Sequence, residues 1–531
     1  MPESQDLRPE ARFTRRVGSF TIGTLISRIT GVVRESVFAY LFGAGLATDA
    51  FNVAFRIPNF LRDLFAESAL SAAFVPTFVA SLKSEEPDDS WRFAANMLNA
   101  LLLVTTVIVL LGMLLAPQIV NGIALGFARE PGKLELTALL TRIMFPFLLF
   151  VALAAWAMGI LNACGTFFIP AVAPAAFNIF SALVPIATFA WLRARGIDPI
   201  LGMAWGVLIG ALAQFAVQLP RLFRHGFRYR PVLSFGDPRL RQVFFRWVPV
   251  LLGLASWQVM FLVNTFLMSF LPQGAVTWIF YAYRLQHLPA GLFGVAVGSV
   301  ALAEYSHLAG GSIESIRSRF RHAMNLVSVL TLPAALLLLA LAVPVVRLVY
   351  QHGRFTALDT AMTAQALALY CLGIWAGAAT RNCAAGFYSL GDTKTPALVA
   401  AGCVVVNIML NLVLMRHIGF RSFPLNLATS QLLNFAILFV LLRRRTGGLE
   451  GWKVFTIFLR TIGAALVAGL AAFLLALGFE RLIYPGSLLF QLAQVLGCGA
   501  VGLLIYYRFA LWFGVKEVRQ ALADLFRRSV Q

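Results

Sequence analysis

Charge is scarce in this sequence. Asp, Glu, Lys and Arg make up 12% of its 531 residues, about half the ~25% of ordinary soluble chains. Too little polar material is present to coat a water-soluble globule of this length, which excludes a soluble fold. Acids are scarcer still, 23 against 43 basic residues, for a formal net charge of +20. Cysteine is confined to Cys164, Cys371, Cys383, Cys403 and Cys498, in or beside apolar stretches and with no CxxC. That excludes a disulfide scaffold and a zinc site. The 6 histidines form no cluster, and no nucleophile–base pair stands out, so an enzyme is disfavoured.

What remains is apolar: 60% hydrophobic residues, 46 of them Phe, with mean hydropathy +0.81. Lipid is the solvent such a chain requires. The positive charge does not mark nucleic-acid binding, because most Lys and Arg sit in short stretches between apolar runs, as in membrane proteins. Residues 1–16 are polar and basic, and the apolar run after them outlasts a signal peptide, so the first helix is expected to stay as a span.

Windows of about 20 apolar residues fall near 17–43, 47–81, 93–116, 136–162, 167–193, 199–221, 243–270, 274–305, 321–346, 358–388, 394–416, 422–442, 455–478 and 484–509. The expected class is an all-α integral membrane protein with fourteen transmembrane helices. The mixed stretch 118–132 reads as an interfacial helix. With both termini cytoplasmic, the basic clusters fall inside: Arg8 to Arg16, Lys83 and Arg92, Arg221 to Arg241, Arg317 to Arg321, Arg443 to Lys453, and Lys516 to Arg528. Only scattered cations such as Arg129, Lys133, Arg354 and Arg481 fall outside. The spacing of 510–531 suits an amphipathic helix on the inner leaflet.

Residues 41–66 can be laid on 269–294 without gaps, so that Phe42 meets Phe270, Ala54 meets Ala282, and Arg56 meets Arg284. Both copies start with the same orientation, which predicts two six-helix lobes related by a pseudo-two-fold along the membrane normal. The expected organisation is a segment 1–16, an N-lobe 17–221, a basic linker 222–242, a C-lobe 243–442, a loop 443–454, two added helices in 455–509, and a tail 510–531.

Charges inside the spans narrow the function. Ser27, Gly31, Arg34 and Glu35 share a face of span 1, with Arg28 beside them. Span 2 spaces Asp49, Asn52, Arg56, Asn59, Asp63 and Glu67 along one stripe, with Arg62 on its shoulder. Spans 8 and 10 add Arg284 and Arg381. Each such charge costs roughly 2.5–3.5 kcal/mol at a helix centre, so the set must face protein or a water-filled cavity. Internal pairing, Arg34 with Glu35 or Asp49 and Arg62 with Glu67, is one reading. The other is an anionic ligand, since the arginines outnumber the acids and a guanidinium grips phosphate through two parallel hydrogen bonds. Pro58, Gly291 and Gly294, and Gly31 in span 1, are hinge or gate candidates.

At SRITGVVRES (27–36), the stretch from Phe42 to Pro76, WIFYAYRLQHLPAGLFGVAVGS (278–299), YQHGRFTALDTAMTAQALALY (350–370) and FYSLGDTKTP (387–396), the chain resembles the MurJ (MviN) family of lipid II flippases. That family belongs to the multidrug/oligosaccharidyl-lipid/polysaccharide exporter group. The resemblance implies a transporter that moves a polyprenyl-pyrophosphate-linked peptidoglycan precursor outward across the bacterial inner membrane by alternating access. It implies that Arg28, Arg34, Arg62 and Arg284 bind the head group, with Ser27, Asp49 and Glu67 as polar companions. The helices of 455–509 would supply a groove for the lipid tail. No cofactor, metal or nucleic acid is implied. The charged residues are compatible with coupling to the membrane potential or to a monovalent cation, and other cell-wall synthesis proteins are compatible partners. Departures from the family pattern are Asp63 after Arg62, Tyr283 before Arg284, and His287 where an acid is common. A flippase for another lipid-linked oligosaccharide is the alternative. A cation-coupled multidrug exporter would show excess carboxylates and twelve spans.

Overall fold

The computed structural model describes residues 9–63, 69–84, 87–291, 313–482 and 487–519, and all regular structure among them is helical. Two compact units share the chain, Met1–Gln273 and Gly274–Gln531.

The first unit runs α1 (Pro9–Phe42), α2 (Leu46–Arg62), α3 (Ala69–Ser84), α4 (Pro87–Leu114), α5 (Ala116–Ile123), a 3-10 turn (Leu125–Arg129), α6 (Lys133–Met144), α7 (Phe147–Ala163), α8 (Phe168–Ala194), α9 (Leu201–Ala216), α10 (Leu219–Arg224) and α11 (Pro238–Met268). Pro146 separates α6 from α7, because proline has no N–H to donate and crowds the preceding turn. The interfacial segment expected at 118–132 is the short α5 and the 3-10 turn. Small residues let the helices close up. A Cβ on Gly23 would stand 2.8 Å from that of Ala171, and one on Gly206 would stand 2.7 Å from the Ser181 carbonyl oxygen. Aromatic side chains fill the centre, with Phe74, Phe78, Phe93 and Trp156 all buried.

The basic linker is not a loose loop. Asn96 exchanges two hydrogen bonds with the Ser234 backbone, and Asn99 donates to the carbonyls of Arg230 and Val232. Arg230 also reaches Asp88 at the start of α4. The Asp237 side chain then caps α11 by accepting from the Arg239 N–H. Helix α11 packs on the first unit, through Arg246 to Thr77 and Gln258 to Asp63. The contact boundary therefore falls one helix later than the division at 242/243 drawn from the repeat.

The second unit holds α12 (Ala275–Pro289), α13 (Ile313–Ala340), α14 (Ala342–Tyr350), α15 (Ala357–Cys371), α16 (Ile374–Ser389), α17 (Lys394–Ile418), α18 (Ser422–Thr446), α19 (Gly451–Leu482) and α20 (Leu488–Trp512). A row of Ala464, Ala468, Ala472 and Ala476 is buried on α19, beside large exposed residues such as Leu466, Leu470 and Leu474. Small residues thus face helices and large ones face the lipid. Asn407, Asn411 and Asn426 form a buried hydrogen-bonded chain between α17 and α18.

Among the described residues, 9 stretches are long and apolar enough to cross a membrane. One of these, Lys394–Thr446, holds 53 residues and is the pair α17 and α18. Helices α2 and α12, at 17 and 15 residues, are shorter than a full crossing of about 20. Each ends in a widened, π-type turn, at Asp63 and at Ala290-Gly291. Such turns concentrate at functional sites.

Candidate functional site

In the first unit the charged residues sort into pairs. Arg34 donates to the buried Glu35 carboxylate, and its guanidinium lies 5.7 Å from the centre of the Phe38 ring and 5.2 Å from that of Phe177. Arg62 pairs with Asp63 at 2.9 Å, and Asp63 also accepts from Gln258 at 3.2 Å. Arg56 stands over the Phe261 ring at 4.0 Å. A cation on an aromatic face gains about 0.5–2 kcal/mol, so aromatic rings hold part of this charge.

Arg28 differs from these. It is exposed on α1 and makes no ion pair or hydrogen bond among the described residues. It lies about a third of a turn from the exposed apolar stripe of Leu25, Ile29 and Val33. Ser27 and Gly31 face α8 instead. Asn178 donates to the Ser27 carbonyl at 2.9 Å, and its side-chain nitrogen stands 3.4 Å from where a Gly31 Cβ would be. Helix α1 runs unbroken through Gly31, so this glycine serves close packing there. Pro58 is buried within α2. Glu67 and Gly294 lie outside the described residues.

Asp49 is fully buried, and its partner is one that sequence placed elsewhere. Lys133, expected as a scattered cation outside the spans, is equally buried and binds Asp49 at 3.3 Å and Glu130 at 3.2 Å. Its ammonium also caps the Phe127 ring at 4.3 Å. Gly132 turns the chain with φ 77° just before it, a left-handed conformation that glycine takes without strain. A legible sign existed: Lys133, Thr137 and Thr141 recur every four residues, and all three are buried on one face of α6.

In the second unit, α12 presents Arg284 half-buried and His287 exposed. The His287 ring meets Tyr283 at 4.4 Å, and Tyr283 meets Tyr370 of α15 at 5.7 Å. Tyr281 stacks on Tyr350 at 4.5 Å. The Trp278 indole N–H donates to Asp359 at 2.9 Å, and the same Asp359 closes a capping box with Thr356 at the start of α15. Arg381 is exposed and donates to the Ala290 carbonyl at 3.3 Å. Leu285, Leu288 and Pro289, next to Arg284, line an apolar groove of about 280 Å³ whose other walls include Leu337 of α13, and Val495 and Gly499 of α20. The structure brings Arg34, Arg62 and Asp49 into the first unit with Arg28, and sets Arg284 in the second.

Among the described residues, Arg28, Arg34, Arg56, Arg62 and Lys133 stand with Glu35, Asp49, Asp63 and Glu130, while Glu67 of the same stripe lies outside them. Among the described residues no cluster of His, Cys, Asp or Glu has a metal-holding arrangement.

The family profile for lipid II flippase MurJ matches residues 38–494. A lipid II flippase MurJ from Burkholderia cenocepacia is 33% identical over 519 residues, spanning 96% of this chain and 98% of its own. A probable lipid II flippase MurJ from Rhizobium meliloti is 32% identical, over 97% of this chain and 95% of its own. Among solved structures, a lipid II flippase MurJ in an inward closed conformation superposes with a TM-score of 0.75 at 24% identity, covering 94% of this chain and 99% of its own. An inward-facing multidrug resistance MATE family transporter of the MOP superfamily superposes with a TM-score of 0.62 at 14% identity, covering 79% of this chain and 99% of its own.

Proposed function

Since the chain belongs to the lipid II flippase MurJ family and is a multi-pass membrane transporter of that lipid, we propose that Arg28, Arg34, Arg62 and Arg284 hold the pyrophosphate of its head group. The charge inventory of α1 and α2 carries this reading. Glu35 occupies Arg34, Asp63 occupies Arg62, and Asp49 and Glu130 share Lys133. Arg28, exposed on α1, has no carboxylate partner among the described residues. A cationic side chain within a span is costly without a counter-ion, and a diphosphate supplies two acceptor groups at the spacing guanidinium forks fit. Arg34 and Arg62 exchange their carboxylates for phosphate as the head group arrives. Asp49 acts one step back, by holding the start of α2 to α6.

The apolar groove beside Leu285 and Leu288 suits the polyprenyl tail. One turn of α12 then serves both ends of the lipid, with Arg284 for the charge and its neighbours for the chain. Both termini lie in the cytoplasm of a bacterial inner membrane, on the strength of the basic clusters between spans, and the two lobes alternate access around the arginines. No cofactor is required. The membrane potential supplies about 2.3 kcal/mol per charge per 100 mV, and a cationic site that moves feels it.

Complementation tests the assignment. In a bacterium depleted of its own flippase, the unaltered chain is expected to restore growth and lipid II exposure on the outer leaflet. Arg28→Ala and Arg284→Ala, at equal membrane levels, are expected to fail. Full rescue by all four single Arg→Ala variants would overturn the site.

A further inference from the structure

The first unit contains a cavity none of whose lining residues belongs to α1 or α2. It measures about 490 Å³ and lies between α4 and the start of α11. Ala100 and Val104 of α4, Phe235 of the linker, and Phe244 and Trp247 of α11 are among its walls, and Arg241 is the one charged residue among those that line it. The volume falls within the roughly 300–1,000 Å³ of sites that bind small ligands.

Three observations define what fits there. The wall is apolar and open: Val104, Phe235, Phe244 and Phe245 are all exposed, and Val104 continues into the exposed stripe of Val107, Leu110, Leu111 and Leu114 along α4. In a membrane protein that stripe is the surface that acyl chains cover, so the cleft is an extension of it. Second, Arg241 differs from Arg230 and Arg239. Arg230 is matched by Asp88 and Arg239 by Asp237, whereas exposed Arg241 has no carboxylate partner among the described residues, only the Phe245 ring at 5.5 Å. Third, the walls are fixed in advance. The Asn96 and Asn99 clamps hold the linker on α4, so the cavity does not have to be ordered on binding.

We infer that this cleft is a site for one anionic glycerophospholipid, its acyl chain along α4 and its phosphate on Arg241. A soluble anion would find only one polar side chain in the wall, and an uncharged lipid would leave Arg241 unmatched. This inference does not rest on the substrate assignment, since the cleft shares no lining residue with the four arginines proposed to hold the head group.

Native mass spectrometry of the full chain released from phosphatidylcholine nanodiscs doped with phosphatidylglycerol tests it. The unaltered chain is expected to retain one phosphatidylglycerol in preference to phosphatidylcholine. Arg241→Gln is expected to lower that retention at least several-fold, as is Ala100→Trp, which fills the cleft while keeping the charge. Arg228→Gln, an exposed linker arginine outside the cleft, is expected to leave it unchanged. The inference is overturned by equal retention of both lipids, by full retention in Arg241→Gln, or by an equal loss in Arg228→Gln, which would mean general attraction to a basic surface. If Ala100→Trp does not fold, the two arginine variants still decide the outcome.

Discussion

Helices α2 and α12 occupy the same place in the internal repeat yet are fastened by different chemistry. When residues 41–66 are laid on 269–294, Asp63 falls on Gly291, and both positions lie in a widened turn at the helix end. Each helix is tied near its start to the first residues of a later helix in its own unit. In the first unit that tie is ionic, Asp49 to Lys133 of α6. In the second it is a single hydrogen bond, Trp278 to Asp359 of α15, amid stacked tyrosines. The arginines that the alignment pairs differ likewise: Arg56 lies on a phenylalanine face, and Arg284 borders an apolar groove. Both copies keep the short helix and its π-type turn, while the tie near the start is ionic in the first and runs through an indole N–H in the second.

The largest expected effect comes from breaking the ionic tie. Lys133→Met leaves Asp49 buried without its lysine, and breaking a buried pair in this way costs about 3–5 kcal/mol. The thermal midpoint in detergent should fall accordingly. Adding Asp49→Asn should recover part of the loss, because the pair then contains no uncompensated charge. If the double variant is no better than Lys133→Met, the buried pair is not the tie.

Trp278→Phe keeps most of the ring and removes the N–H to Asp359. A hydrogen bond to a charged group is worth about 1.5–3 kcal/mol, so the loss should be smaller than for Lys133→Met. A larger loss would reverse the ranking of the two ties. Asp63→Asn should matter less again for stability, since that pair is partly exposed and such pairs contribute about 0–1 kcal/mol. Its effect should appear in substrate binding, because it frees Arg62. Tighter head-group binding by Asp63→Asn is the expected outcome of a titration.

The smallest effect lies outside the membrane. Backbone and side-chain hydrogen bonds from Thr395, aided by Arg445, hold the Asp392 carboxyl below its ordinary 3.8. A depressed carboxyl stabilises the folded state above its unfolded value and loses that contribution as pH falls through the folded one. Melting curves of Asp392→Asn and the unaltered chain should therefore differ slightly at neutral pH and converge below about 3.8. A gap that persists at lower pH would contradict the assignment.

Most of the membrane architecture was legible because hydropathy is a one-dimensional signal. A short helix, α5, lies within the stretch set apart from the spans at 118–132, and the apolar runs of 136–162 and 358–388 each hold two helices. Arg28, Arg34, Arg56 and Arg62 were legible as charges that lipid does not accept. Their partners were not. Arg34 found its neighbour Glu35, one of two options left open, and Arg62 pairs with Asp63 at the π-type turn, while Glu67, its expected partner, lies outside the described residues. Lys133 was read as a loop cation because it follows a polar turn, Glu130 to Gly132. Only the fold, which carries α6 against α2, turns that loop residue into a buried counter-ion. The linker was read as a basic cytoplasmic segment, but its attachment to Asn96 and Asn99 depends on backbone carbonyls that sequence does not show.

The central claim is that Arg28, Arg34, Arg62 and Arg284 bind the head group. Equilibrium binding of purified lipid II to the unaltered chain, Arg28→Ala, Arg284→Ala and the double variant tests it most directly. Each single variant should bind at least ten-fold more weakly, about 1.4 kcal/mol. The double variant should depart from the sum of the two losses, as residues that share a ligand do. Binding by both single variants that matches the unaltered chain would contradict the account.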